Sequence, residues 1–352
     1  MKQPNTPQIL LGPDSLHQLP KLLEGHRVLL VHGHRPVEDG LLEQVRILLT
    51  ENGIAHENMG QILPDPKYKS VKRGIRQARK TNCDYILSLG GGSTLQCARG
   101  IALGVPYKGD VWDFWAGKKK PGKALPVAAV LTNPATGNEL SDKCTLVKKG
   151  KRKTFQSSAL TCRFAILDPK LSVLPWYPTM NQGFTLFAHV FTSALSVPEE
   201  RLAEYVDVLN RILESIQSLS ENIDSIEARD SLFEAGVLSH KLRKPDPTGL
   251  MELSSELAFQ YSLPRGTAIS ALFSAWWQGN YSRYTERMEQ LGQKLFHCAP
   301  GRALENINVL LGHMKLADSL PAAGLQLSDK EVKSLTSDKN LRQILTVSSR
   351  SK

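Results

Sequence analysis

The tetrad Gly90-Gly91-Gly92-Ser93 has the clearest capacity for chemistry in this sequence. It falls where an apolar run, Tyr85 to Leu89, hands over to a helical pattern from Ser93 to Leu103. Glycines at such a turn let the backbone approach a pyrophosphate, and a helix N-terminus offers unbonded N–H groups and a positive dipole end. Ser93 adds a hydroxyl donor. By itself the tetrad is ambiguous. Many strand-to-helix turns carry glycine for steric reasons, and this one is not the GxGxxG fingerprint. Two more stretches occupy equivalent points. Gly33-His34-Arg35 follows the first strand of the series, where the adenosine end of a dinucleotide would lie. The hydroxyl-rich loop Thr132 to Asn138 follows a later one. Ligands of open α/β sheets bind at these carboxyl ends. The expectation is a dinucleotide held by the N-terminal half.

The elements that must position these groups alternate. Arg27 to Gly33, Ile54 to Met59, Tyr85 to Leu89, Leu125 to Thr132 and Phe164 to Asp168 read as strands. Val37 to Leu49, Lys67 to Lys80 and Ser93 to Leu103 read as helices between them. Such alternation implies a parallel sheet with right-handed crossovers. Cys144 to Val147 and Thr154 to Ser157 read as a hairpin joined by Lys148 to Lys151. From about Pro178 the pattern turns to long helical segments: Leu202 to Ile216, Ile226 to Leu242, Thr267 to Gln278 and Tyr284 to Phe296. The expected architecture is an α/β dinucleotide-binding domain, 1–174, and an all-helical domain, 175–352, with a cleft between them and a loosely held tail after Asp338.

A length of 352 residues exceeds one hydrophobic core and suits two domains. No apolar run approaches the ~18 residues of a membrane span. Met1 to Gln8 lacks the apolar core of a secretion signal, so none is expected. The five cysteines, Cys83, Cys97, Cys144, Cys162 and Cys298, form no CxxC pair, which suits reduced thiols in a cytoplasm. The net charge of +10 reads as cations spread along the chain, with clusters at Lys118 to Lys120 and Lys148 to Lys153. These are a solvated surface, or they face an anionic phosphate ligand. No nucleic-acid motif accompanies them, and the expected partner is a small molecule.

Taken in order, the segments resemble the iron-containing alcohol dehydrogenases of the dehydroquinate-synthase-like fold, above all their NADPH-dependent butanol dehydrogenase and aldehyde reductase branch. The most specific stretches are Val130 to Gly137 (VLTNPATG) and Ala165 to Pro169 (AILDP). The resemblance spans essentially the whole chain. It implies that Gly91, Gly92 and Ser93, beside Gly90, hold a pyrophosphate and that Thr132 and Thr136 line the cofactor cleft. Arg152 or Lys153 would reach the nicotinamide ribose. The loop Gly33-His34-Arg35-Pro36 would take a 2′-phosphate through the fork of Arg35, favouring NADP while leaving NAD open. A homodimer is implied as well.

The resemblance also exposes departures. The family holds a metal with an Asp, a His four residues later, and two further histidines fourteen apart. The corresponding positions here are Thr185, His189, Met251 and Arg265. Arginine has no lone pair to give, and thioether sulfur is too soft for an oxygen/nitrogen iron or zinc site. No metal is therefore expected. Gln96 and Arg99 replace the family's Asp and Lys in the glycine-turn helix, and Ser255 stands where a proton-relay histidine is expected. Two functions follow. One is a metal-independent oxidoreductase reducing a small carbonyl or oxidising an alcohol, with Arg265 polarising the oxygen and His189 or Tyr261 donating the proton. The other is a non-catalytic dinucleotide binder with a sensory or partner-holding role.

Overall fold

The computed structural model describes residues 6–134 and 137–349, and the chain divides into two compact units, Met1–Val173 and Leu174–Lys352. Short runs of apolar residues without polar alternation can be buried on both faces, which a parallel sheet between helices provides. The first unit is built in this way. Its strands are β1 (Gln8–Leu11), β2 (Val28–His32), β3 (His56–Met59), β4 (Tyr85–Gly90), β5 (Val127–Leu131), β6 (Lys143–Lys148), β7 (Lys151–Gln156) and β8 (Phe164–Leu167). Its helices are α1 (Leu19–Leu23), α2 (Arg35–Glu38), α3 (Leu41–Glu51), α4 (Tyr68–Lys80), α5 (Gly92–Gly104) and α6 (Trp112–Trp115). Six strands form one sheet in the order β1-β8-β5-β4-β2-β3, every pair parallel. Every residue of β2, β4, β5 and β8 is buried. The edge strand β1 was not anticipated.

Helices α4 and α5 meet through small residues. A Cβ on Gly74 would lie 2.3 Å from Ile101 Cδ1, and one on Gly104 would lie 2.1 Å from Ile75 Cδ1. Val71, Gly74, Ile75 and Ala78 give α4 its buried face, while Lys69, Lys72, Arg76 and Lys80 stay in water. That helical spacing is what an amphipathic surface helix requires. The hairpin is longer than its sequence suggested. Lys149 and Gly150 both have positive φ, 52° and 72°, so a two-residue turn joins β6 directly to β7.

The positive charge is not evenly spread, which corrects the sequence reading. Residues 1–173 hold 26 Lys and Arg against 14 Asp and Glu, whereas residues 174–352 hold 18 against 20. The surplus belongs to the first unit alone.

One cation of that unit is fully buried. Arg99, on α5, donates to the carbonyls of Leu160 (2.9 Å), Lys143 (3.2 Å), Asn138 (2.8 Å) and Ser141 (2.5 Å). Gln96, nearly one turn earlier, accepts from Thr145 N at 2.9 Å. These two side chains fasten α5 to the loop and hairpin that follow β5.

The second unit contains α7 (Trp176–Ala194), α8 (Leu202–Glu221), α9 (Ile226–Leu242), α10 (Leu250–Tyr261), α11 (Arg265–Phe296), α12 (Ala303–His313), α13 (Asp329–Leu335) and α14 (Lys339–Ser348), and no strand among the described residues. Phe184, Phe187 and Phe191 of α7 pack on Phe273, Trp276 and Trp277 of α11 in its core. The two helices expected over 267–296 form one run interrupted at Tyr284, whose φ/ψ of −125°/22° is non-helical. Residues 339–349, expected to be loosely held, are anchored. Asp338 caps α14, Ile344 and Leu345 are buried, and Ser348 Oγ donates to Ala271 O on α11 at 2.5 Å.

Arg99→Met should cost about 3 kcal/mol or more, because buried carbonyls would lose a charged donor. Urea denaturation with an unchanged slope would measure it, and Arg99→Lys, with three donors in place of five, should restore only part.

Candidate functional site

In the first unit, β4 ends at Gly90 with φ 138°, Gly91 stands as the N-cap of α5, and helical geometry begins at Gly92. No side chain caps this helix. Gly90 is held to glycine by its positive φ, and the next two positions carry no side chain. A Cβ on Gly91 would meet Asn133 Oδ1 at 2.8 Å, and one on Gly92 would meet Asn138 Nδ2 at 3.0 Å. Asn133 Oδ1 is buried without a hydrogen-bond partner among the described residues. Two asparagines therefore flank the turn. The sequence reading passed over them, although both lie in the loop it singled out. Thr132 is buried and its N–H binds Gly90 O at 3.3 Å. Thr136 lies outside the described residues. This geometry fits a pyrophosphate: uncapped helix N–H groups, a turn without side chains, and amide side chains beside it.

The loop after β2 comes close to the same point, since Pro36 Cγ would lie 3.9 Å from a Cβ on Gly90. Gly33 is half-buried and His34 exposed. The Arg35 fork is engaged elsewhere, donating to Asp39 Oδ2 and to Val173 O, both at 3.0 Å. Arg152 and Lys153 sit on β7 opposite Val147 and Leu146, on the two-stranded sheet and not at the strand ends of the main one.

Beside Asn138 stands Glu139, which the sequence reading did not single out. It is fully buried, and burial pushes its carboxyl up to about 7 although the charge of Arg99 opposes the shift. Its Oε2 has no partner among the described residues.

In the second unit the helical pattern of α7 places Thr185 and His189 one turn apart on one face. Asn181, one turn before Thr185, fixes the start of α11. Its Oδ1 accepts from Thr267 N (2.7 Å) and Thr267 Oγ1 (2.9 Å). A Cβ on Gly266 would fall 2.2 Å from Asn181 O, so only glycine permits this approach. Arg265 is thereby held beside the Thr185–His189 face, and its Nη2 donates to Met251 O at 2.6 Å. Thr185 Oγ1 donates to Asn181 O at 2.7 Å. Burial first, and then the positive charges of Arg243 and Arg265, hold His189 well below the ordinary histidine range. The imidazole is neutral at pH 7, which removes the imidazolium form expected of a proton donor. Tyr261 donates to Glu331 Oε1 at 3.1 Å on α13, and it lies ten residues, roughly 15 Å of helix, from Met251.

These four side chains do not make a metal site. A hydroxyl committed to a carbonyl, a neutral imidazole, a thioether and a guanidinium supply one good donor and one repelling cation. No group of three His, Cys, Asp or Glu side chains suited to a metal occurs among the described residues.

The family model described as iron-containing alcohol dehydrogenase matches residues 6–169. The NADH-dependent butanol dehydrogenase A of Clostridium acetobutylicum is 30% identical over 267 residues, covering 72% of this chain and 68% of that protein. The probable NADH-dependent butanol dehydrogenase 1 of Bacillus subtilis is 28% identical over 309 residues, 83% of this chain and 79% of that one. The chain belongs to the iron-containing alcohol dehydrogenase family of oxidoreductases. Its fold is that of the NADH-dependent butanol dehydrogenase A crystal structure from Thermotoga maritima, with a TM-score of 0.88, 22% identity and 98% of each chain covered.

Glu139 makes a testable pH statement. Between pH 4.5 and about 7 the folded protein keeps a proton that the unfolded chain has lost. Stability should therefore fall as pH rises through that window, by about 3 kcal/mol for this group. Glu139→Gln should flatten this part of the profile and raise the melting temperature at pH 8. Gly266→Ala should cost about 2 kcal/mol or more in denaturant titrations, because backbone is what its methyl meets.

Proposed function

We propose that the chain is a nicotinamide-dinucleotide-dependent oxidoreductase that reduces a small carbonyl, or oxidises the corresponding alcohol, without a metal. The observation that carries this reading is the uncapped glycine turn of the first unit; in the second, Arg265 donates to Met251 O at a position that the family resemblance assigns to a metal ligand. When bound, the dinucleotide supplies or accepts hydride. The first-turn amides of α5 and Ser93 hold its pyrophosphate, with Asn133 and Asn138 closing the sides. Arg265, oriented by Met251 O, donates hydrogen bonds to the carbonyl oxygen where negative charge develops. Neutral His189 accepts the alcohol proton in the oxidative direction, and the Tyr261 hydroxyl is the second proton-handling candidate. With Arg35 bound to Asp39 and Val173, the reading takes NADH or NADPH without preference. No described helix is long and apolar enough to cross a membrane, and the reading includes a cytoplasmic homodimer.

One observation favours a non-catalytic dinucleotide binder. Arg265 and Tyr261 both have structural partners, Met251 O and Glu331. Purified protein assayed for NADH and NADPH binding, bound metal and aldehyde reduction separates the two. The enzyme reading expects binding, no stoichiometric iron or zinc, and turnover that survives chelators and falls ~100-fold in Arg265→Ala. Tight dinucleotide binding with no turnover across aldehydes and alcohols would leave the binder. A tightly held metal at His189 would overturn metal independence.

A further inference from the structure

Much of the first unit's positive charge gathers where two segments meet. Seven of the fourteen residues from Lys67 to Lys80, and five of the six from Lys148 to Lys153, are Lys or Arg, and neither segment contains an acid. The fold joins them. Lys67 and Val147 form a parallel bridge, and Val147 N donates to Pro66 O at 3.0 Å, so the start of α4 lies against β6.

Two of these cations are spent on backbone. Arg73 donates to Gly60 O, and Arg79 donates to the carbonyls of Gly104 (2.8 Å), Val105 (3.0 Å) and Tyr107 (2.5 Å). Lys69, Lys72, Arg76 and Lys80 differ. All four are exposed, and their side chains make no hydrogen bond or ion pair among the described residues. Their helical spacing sets them in one stripe along α4, about 16 Å long. At the end of the stripe beside β6 stand two half-buried rings. Tyr68 and Trp112 meet edge to face with centroids 5.7 Å apart, and Trp112 stacks on Trp115 at 6.2 Å. Lys148 Nζ lies 4.1 Å from the centre of the Tyr68 ring and 5.0 Å from that of Trp112, and Lys72 Nζ lies 5.6 Å from that of Tyr68. The carboxylate of Asp110 at this junction is already engaged, by Tyr68 Oη (2.5 Å), Trp112 N (2.9 Å) and Lys148 Nζ (3.8 Å).

A row of cations without counter-charge suits a partner whose anions repeat, and partly exposed rings among them suit flat groups that stack. A membrane surface would ask for apolar side chains at the tip of the hairpin, where Lys149, Gly150 and Lys151 stand instead. We propose that the outer face of α4 and the adjoining hairpin turn bind single-stranded nucleic acid without sequence preference. Phosphates follow Lys69, Lys72, Arg76 and Lys80, and a base rests at Trp112 with Lys148 beside it. This binding is independent of the redox reading.

The test uses the full-length protein and a fluorescein-labelled, unpaired RNA of about 20 nucleotides, followed by polarisation from about 50 to 200 mM salt. The logarithm of the binding constant should fall with that of salt at a slope of about −3, the value for four phosphates neutralised on a single strand. Lys69→Glu, Lys72→Glu and Arg76→Glu together should weaken binding roughly tenfold or more and reduce the slope by about 2. Lys294→Glu, Lys330→Glu and Lys339→Glu make the same change in net charge at exposed positions of the second unit, and should leave binding within about threefold. Trp112→Leu should weaken it about fivefold or more without changing the slope. Equal losses in the two triple variants, or no saturable binding by the wild type at low salt, would overturn the site. Polyphosphate or phosphatidylserine vesicles displacing the RNA equally well, with Trp112→Leu without effect, would overturn the nucleic-acid assignment. Displacement by NADH would put the RNA at the glycine turn and overturn it too. Both triple variants replace exposed side chains only, so their comparison does not turn on folding.

Discussion

Four carbonyl oxygens, those of Asn138 and Ser141 in the loop after β5, Lys143 in β6 and Leu160 in the turn after β7, end on the guanidinium of Arg99, and the surroundings of the glycine turn depend on that convergence. A buried cation is tolerable only when its N–H groups are met. Meeting them fixes the backbone of Asn138 and Ser141, and so settles where the Asn138 side chain stands beside Gly92 and where Glu139 is buried. A residue whose side chain never touches solvent thereby shapes the turn at which an anion would be held. A lysine here would not be equivalent, because an ammonium presents three donors and no planar fork.

The second unit shows how the start of a helix is positioned by packing and hydrogen bonds. Asn181 and Gly266 still hold the start of α11 against α7, and that geometry depends on no ion. The charge that stands there is the guanidinium of Arg265, to which Met251 supplies a carbonyl from the backbone. A guanidinium attracts oxygen electrostatically but lacks the strong polarisation of direct metal coordination.

The fold was legible because its signals were redundant. Uninterrupted apolar strands, a glycine turn, and a change to helical periodicity after Pro178 all pointed one way. What escaped notice depended on partners distant in sequence. The segment Lys151 to Gln156 is too charged to read as a strand, yet a two-residue turn and the register with β6 make it one. The tail after Asp338 looked unanchored because its apolar residues are few, and they meet α11 some seventy residues earlier. Arg35 read as a phosphate fork because neither Asp39 nor the Val173 carbonyl could be seen to occupy it. Glu139 carried no mark of its own, since burial and not spacing displaces its proton.

The uneven division of charge bears on how fast the first unit can meet a ligand, independently of how tightly it holds one. With a surplus of twelve cations confined to residues 1–173, a polyanion approaching that unit feels attraction before any contact forms. Such fields raise encounter rates by ten- to a thousandfold at low ionic strength. At physiological salt their reach shrinks to a Debye length of about 8 Å. Capture of a multiply charged ligand by that unit should then be set by the ionic strength of its surroundings.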